Sequence, residues 1–198
     1  MNEKIFGLIL SAGFSSRMGK FKPLLEYDGK SFVRNVAEKT SAVCDKIVVV
    51  TGFKSELIIE RLKEQTKKNV LDKIQFVFND EFEKGMFVSL KKGIEACGEA
   101  RWVLYHFVDQ PSLPEEFYFS FVKEIDERFD AIQPVYKGKK GHPIILGRKA
   151  IELINRAEEN SNLKELFARN ELSIKLWECG FPEALKDFDL PEDFEKTI

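Results

Sequence analysis

Between Leu10 and Leu25 the chain sets Gly13 and Gly19 among the small residues Ser11, Ala12, Ser15 and Ser16 and the cations Arg17, Lys20 and Lys22, directly after an apolar run. Residue types in that mixture can hold phosphate. Small side chains let the main chain come close to a ligand, glycine tolerates backbone conformations that other residues resist, and successive N–H groups can then point at an anion. Arginine's planar fork grips two phosphate oxygens and lysine acts as a mobile point charge, so the two types suit different phosphates of one triphosphate. A second chemical element is Asp109-Gln110-Pro111, at the end of the apolar segment Val103 to Val108. An aspartate leaving a strand beside a phosphate loop is placed to bind Mg²⁺, which takes hard oxygen donors and usually only one or two protein carboxylates. The plain alternative is an aspartate opening a turn before proline.

Neither familiar phosphate motif fits. After Gly13 stand Ser15 and Ser16 where a dinucleotide fingerprint needs glycine, and Gly29-Lys30-Ser31 has Leu24 where a Walker A loop needs its first glycine. Gly29-Lys30-Ser31 is predicted instead to be a turn followed by a helix capped at Ser31. A P-loop hydrolase is thereby disfavoured, as is covalent catalysis, since no Ser/His/Asp or Cys/His arrangement has support.

Leu10, Ala12, Gly13, Ser15, Arg17, Met18, Gly19, Lys22, Leu24 and Leu25 follow the pattern L-x-A-G-x-S-x-R-M-G-x-x-K-x-L-L. This closely resembles the signature of the MobA-like nucleotidyltransferases, and Ser11-Ala12-Gly13 is nearer their molybdenum cofactor cytidylyltransferase branch than the guanylyl branch. The resemblance extends from about Lys4 to Asp193. It implies transfer of CMP from CTP to the terminal phosphate of molybdopterin, with pyrophosphate leaving. In that scheme Lys22 stabilises the α-phosphate, Arg17 and the loop around Ser11, Ala12, Gly13, Ser15 and Ser16 hold the β- and γ-phosphates, and Asp109 binds Mg²⁺. Asp187-Phe188-Asp189-Leu190-Pro191-Glu192-Asp193 is similar to the family's closing D-x-D-T-P-E-D, with Leu190 in place of threonine, and makes Asp189 a second metal ligand. Asn79, Gly85, Met86 and Ser89 form N-x-x-x-x-x-G-M-x-x-S, which resembles the segment that contacts base and ribose; the plain alternative makes Gly85 a turn and Met86 a core residue. Gln110 and Gly141-His142-Pro143 resemble elements beside the acceptor. A methyl at Ala12, where the guanylyl branch resembles a second glycine, is expected to favour the pyrimidine. The alternatives are a transferase for another phosphorylated acceptor such as a sugar or polyol phosphate, or one using GTP, and a nucleotide-binding module without turnover. A molybdoenzyme receiving the product is a further implied partner.

These residues need a scaffold that brings them to one edge. Strands are predicted at Lys4 to Leu10, Lys46 to Thr51, Ile74 to Phe78, Val103 to Val108, Ala131 to Tyr136, Pro143 to Leu146 and Ile174 to Glu178. Helices fall between them at Phe32 to Thr40, Ser55 to Lys67, Met86 to Cys97, Pro114 to Arg128, Arg148 to Ala157 and Asn162 to Arg169. Apolar strands alternating with helices indicate an α/β, three-layer, doubly wound Rossmann-like fold with a mostly parallel sheet, here as one domain over residues 1–198. Ligands then sit beyond the carboxyl ends of the strands. Ser112 with Glu115, and Asn162 with Glu165, read as capping boxes. His106 reads as a packed strand residue.

With 31 basic against 33 acidic residues the formal charge is −2, so nothing general attracts nucleic acid or a membrane. The run Ile5 to Leu10 is too short to span a bilayer and lacks a signal peptide's flanks, which predicts a cytoplasmic protein. Cys44, Cys97 and Cys179 are scattered and odd in number, the pattern of buried thiols.

Overall fold

The computed structural model of the protein describes residues 4–15, 19–169, 172–189 and 193. In chain order these form β1 (Ile5–Ser11), β2 (Glu26–Tyr27), β3 (Lys30–Ser31), α1 (Phe32–Ser41), β4 (Lys46–Thr51), α2 (Ser55–Gln65), α3 (Lys68–Leu71), β5 (Ile74–Phe78), α4 (Met86–Ala96), β6 (Trp102–Phe107), α5 (Glu115–Val122), β7 (Ala131–Tyr136), β8 (Lys139–Lys140), β9 (Ile144–Leu146), α6 (Arg148–Arg156), α7 (Leu163–Arg169) and β10 (Ile174–Glu178). The large sheet has the order β10-β7-β9-β6-β1-β4-β5, with β8 attached to β7. β1 pairs in parallel with β4 on one side and β6 on the other. It is therefore the point at which the strand order reverses, and the crevice beyond its carboxyl end is where such sheets take ligands. β9 runs antiparallel between β6 and β7, so the sheet is mixed but mostly parallel, as the alternation of strands and helices predicted.

Side-chain alternation along β1 assigns the two faces. Phe6, Leu8 and Leu10 join the apolar cluster shared with α4 and α6, whereas Ile9 joins the cluster of α1 and α2 on the opposite face. A third cluster gathers Phe117, Tyr118 and Phe121 of α5 over Leu104, Ile132 and Ile145. Two glycines set the helix distances. A Cβ on Gly7 would stand 2.3 Å from Thr40 Cγ2 of α1, and one on Gly93 of α4 would stand 2.3 Å from Leu8 Cδ1, so the interruption of the first apolar run is where a helix docks.

Local chemistry accounts for the departures from expectation. Asn162 Oδ1 accepts the Glu165 N–H at 2.9 Å, as a cap requires. Ser112 does not cap α5: Pro114 occupies the cap position in extended conformation, and the buried Ser112 hydroxyl has no partner among the described residues. α5 also ends at Val122, short of Arg128, because Asp126 accepts the Arg128 N–H at 3.0 Å and folds that stretch into a local turn. Ser31 precedes α1 as predicted, without a side-chain cap bond. The start of α1 is tied instead by Asn35, whose amide donates to the carbonyls of Tyr27 and Lys30 in the β2–β3 hairpin. His106 is fully buried with Nε2 2.7 Å from the Tyr118 hydroxyl. All three cysteines are free and buried. Among the described residues no helix is long and apolar enough to cross a membrane.

Candidate active site

The carboxyl ends of β1 and β6 open into a cavity of about 460 Å³. Its walls are the Ser11 to Ser15 stretch with Lys22, the segment from Phe82 to Met86 with Ser89, and Phe107 to Asp109 together with Asp189. Three charged groups meet on one side of it. The Lys22 Nζ donates to Asp109 Oδ2 at 3.2 Å and to Asp189 Oδ1. Each arrives from a different part of the chain. Lys22 starts a short 3-10 turn, Lys22–Leu24, with its N–H held by the Ser15 hydroxyl at 3.1 Å. Asp109 leaves β6, and Asp189 is delivered by a C-terminal segment anchored at Phe188. That anchor is strong: the Phe188 N–H donates to the Asp109 carbonyl at 2.9 Å, and its fully buried ring packs edge-on to Phe32 and Tyr27.

Charge in this corner is tightly coupled. Burial pushes the Asp109 carboxyl up from its ordinary range, with Lys22 pulling it down and Asp189 adding to the rise. Asp187 keeps contact with solvent, yet desolvation, followed by the nearby Asp109 and Asp189, pushes it up to about 6. Two carboxylates that share one ammonium lie within reach of a single cation, and hard oxygen donors of that number suit Mg²⁺ or Mn²⁺. The residues present therefore fit a divalent ion held by Asp109 and Asp189.

The other expected site residues divide into those that line the cavity and those that support it. Ser11, Ala12, Gly13, Ser15, Gly85 and Ser89 are on the lining. The Ser11 hydroxyl is buried and has no hydrogen-bond partner among the described residues. Gly85 has φ of +120°, which only glycine adopts readily, and it turns the chain into α4. Arg17 and Ser16 lie outside the described residues. Gly19 has φ of +65° but Gly13 is not among the positive-φ residues, so only the former needs glycine for its own conformation. Ala12 is 5% exposed and belongs to the apolar cluster beneath the loop. It has little surface with which to exclude a purine, which removes the support for base selection by its methyl.

Asn79, Gln110 and Gly141 are corrected to supports. Asn79 is fully buried, its amide donating to Ser89 Oγ at 2.9 Å and its oxygen accepting the Glu81 N–H, so it braces the start of α4 and the turn before it from behind the cavity lining. Gln110 is 1% exposed and Gly141 is buried. With His142 they converge on one carbonyl. The His142 N–H donates to Ala184 O at 2.9 Å, Gln110 Nε2 lies 3.5 Å from the same oxygen, and a Cβ on Gly141 would come within 2.4 Å of it. The turn Pro182–Leu185 is thus clamped in place just ahead of Asp189. The His142 ring sits against Phe107 at 4.7 Å, and burial lowers its pKa to about 4, so it is a neutral wall and not a proton carrier near neutral pH.

Of the apolar lining, Met86 belongs to the expected motif, whereas Phe14 and Phe107 were not foreseen. Phe14, 47% exposed and backed by Phe53 and Phe82 at 5.1 Å each, and Met86, 60% exposed, border the cavity with Phe107. Met86 is accordingly not a core residue. Its place as the first residue after Gly85 was the available signal, since a side chain at a helix start beside a loop has few neighbours to cover it.

Comparison with known proteins gives the family and the fold. The family model of the MobA-like NTP transferase domain matches residues 7–174. The chain is 27% identical over 189 residues to the molybdenum cofactor cytidylyltransferase of Escherichia coli K12, covering 94% of this chain and 92% of that protein. It is 25% identical over 138 residues to a "Probable molybdenum cofactor guanylyltransferase" of Bacillus cytotoxicus, covering 70% of this chain and 65% of the other. In fold it is similar to Rv0371c of Mycobacterium tuberculosis H37Rv, with a TM-score of 0.80 at 18% identity over 100% of this chain and 98% of that one. The same protein solved in complex with manganese gives a TM-score of 0.75 at 16% identity, covering 98% and 97%.

Proposed function

Because the chain belongs to the MobA-like NTP transferase family, whose members are nucleotidyltransferases, we propose that it moves CMP from CTP onto the terminal phosphate of molybdopterin and releases pyrophosphate. The observation that carries this reading is the meeting of Lys22, Asp109 and Asp189 at the cavity entered by the small-residue loop. An acceptor phosphate oxygen forms a bond to the α-phosphorus in line with the bond to the β-phosphate, which breaks. The electron pair of that bond leaves on pyrophosphate. Such a transfer needs positioning and charge neutralisation more than covalent help from the protein.

Lys22 supplies a positive charge for the α-phosphate, and the main chain of residues 11–15 faces the remaining phosphates. Arg17 is proposed to assist there. Asp109 and Asp189 would hold Mg²⁺, which supplies charge neutralisation to phosphate oxygens when bound. The manganese complex of the structurally similar mycobacterial protein supports a divalent ion in this fold. Phe14 and Met86 offer apolar surface to the nucleotide, and Phe107 with the neutral His142 forms the wall on the acceptor side. Preference for CTP rests on the Escherichia coli relative, which matches nearly the whole chain, against the shorter match to the guanylyl relative.

The test is pyrophosphate release with Mg²⁺, molybdopterin and each of CTP, GTP, ATP and UTP, on the wild type and on Asp109→Asn. We expect release with CTP and acceptor together. Losing its ligand charge, Asp109→Asn should fold yet weaken the divalent ion by about a hundredfold or more and lose turnover at limiting Mg²⁺. Equal release from GTP would refute the cytidylyl choice, and undiminished release in the variant would refute the metal role.

A further inference from the structure

Lys22 places its ammonium at the point where a cation shared by Asp109 and Asp189 would sit. The placement is constrained from behind, since the Lys22 residue is buried and its N–H is fixed by Ser15. On the proposed reading of this pair as a divalent-ion site, we infer that Lys22 is a built-in counter-ion, which keeps the two carboxylates closed to free divalent cations until an incoming polyphosphate draws the ammonium away.

The argument is one of charge and competition. With the ammonium between them the trio carries a single net negative charge, and a divalent ion would meet a like charge at contact distance. With the ammonium withdrawn the pair presents two negative charges in a partly desolvated corner, where electrostatic interactions are stronger than in water. The alternative partner for Lys22 is close at hand, because the small-residue loop that would hold phosphates lines the same cavity. A polyphosphate there gives Lys22 new oxygens and frees the carboxylates in one exchange. Divalent ion and nucleotide then bind cooperatively, each raising the affinity of the other by the same factor. The protein would take up the metal together with the nucleotide and remain unloaded in its absence.

The test uses Mn²⁺ alone as the probe, titrated into the full chain without nucleotide and read by the electron paramagnetic resonance of free Mn²⁺. Wild type should bind weakly. Lys22→Met, which keeps the apolar stem and deletes the charge, should bind Mn²⁺ tighter by about tenfold or more. Adding Asp109→Asn to it should erase that gain. Lys22→Gln, whose amide can still bond to the carboxylates, is read by the same criteria and covers failure of the methionine variant to fold. Mn²⁺ should also raise the melting temperature of either variant more than that of wild type. If uncharged variants bind Mn²⁺ no more tightly than wild type while Asp109→Asn still abolishes magnesium-dependent pyrophosphate release, the counter-ion role is wrong and the transferase reading stands. If Asp109→Asn also leaves pyrophosphate release unchanged, the divalent-ion site at Asp109 falls with it.

Discussion

Lys22 contacts both carboxylates from a single nitrogen, so its removal acts on charge in two ways. It takes away the cation that would meet the α-phosphate, and it leaves Asp109 and Asp189 facing one another. We expect Lys22→Ala to lower kcat/KM by about 3 kcal/mol, the scale of one lost electrostatic donor in an active site. Steady-state kinetics with CTP would check this, and an unchanged kcat/KM would make Lys22 a structural cation. Asp187 gives a different test. Its carboxyl titrates at about 6 in the fold against about 3.9 in an unfolded chain, so the folded form holds the proton more tightly. The resulting penalty is absent below about pH 4, grows as pH rises through that interval, and is complete above pH 6. Asp187→Asn should therefore melt above wild type at pH 8, by about 1 kcal/mol once solvent screening is allowed for, and match it near pH 4. Paired melting curves without divalent ions measure the difference.

Elements converge on the turn Pro182–Leu185, which hangs from Gly141, His142 and Gln110. Because a Cβ at position 141 would meet the main chain of Ala184, and no flexible side-chain end, Gly141→Ala must displace that turn. We expect a loss of about 1 to 3 kcal/mol in stability together with reduced turnover, since Asp189 follows a few residues later. Denaturant unfolding and pyrophosphate release should both move; loss of turnover without loss of stability would place Gly141 in substrate contact after all. The same turn explains what could be read in advance at the site. That Lys22 and Asp109 line one cavity was legible because each follows an apolar strand whose carboxyl end lies at the same sheet edge. Asn79, Gln110 and Gly141 were not, because an amide or a glycine has the same sequence signature whether it faces a ligand or a buried carbonyl.

At the scale of the molecule, β1 and β4 were legible almost to the residue, since parallel strands covered on both faces are apolar nearly throughout. The insertion of β9 between β6 and β7 was not, because pairing direction is set by the path of the chain and leaves no local pattern. The two-residue strands β2, β3 and β8 are too short to show any period. The cavity predicts a ligand response of the entire fold. Saturating CTP with Mg²⁺, at about a hundred times its Kd, should add about 2.7 kcal/mol and raise the melting temperature by about 5 to 10 °C. GTP should raise it less, and an equal rise would count against the pyrimidine preference.

The contact between Lys22 and Asp189 joins positions 167 residues apart. During synthesis the loop after β1 and the strand that carries Asp109 are made long before the segment that ends at Asp189, and at about 5 to 20 residues per second the interval is several seconds. A nascent chain can thus fold its nucleotide side early while lacking one of the two carboxylates. Asp189 is added only after both, so a product of translation interrupted between Asp109 and Asp189 would retain the phosphate loop and yet lack one of the two carboxylates proposed to hold the ion.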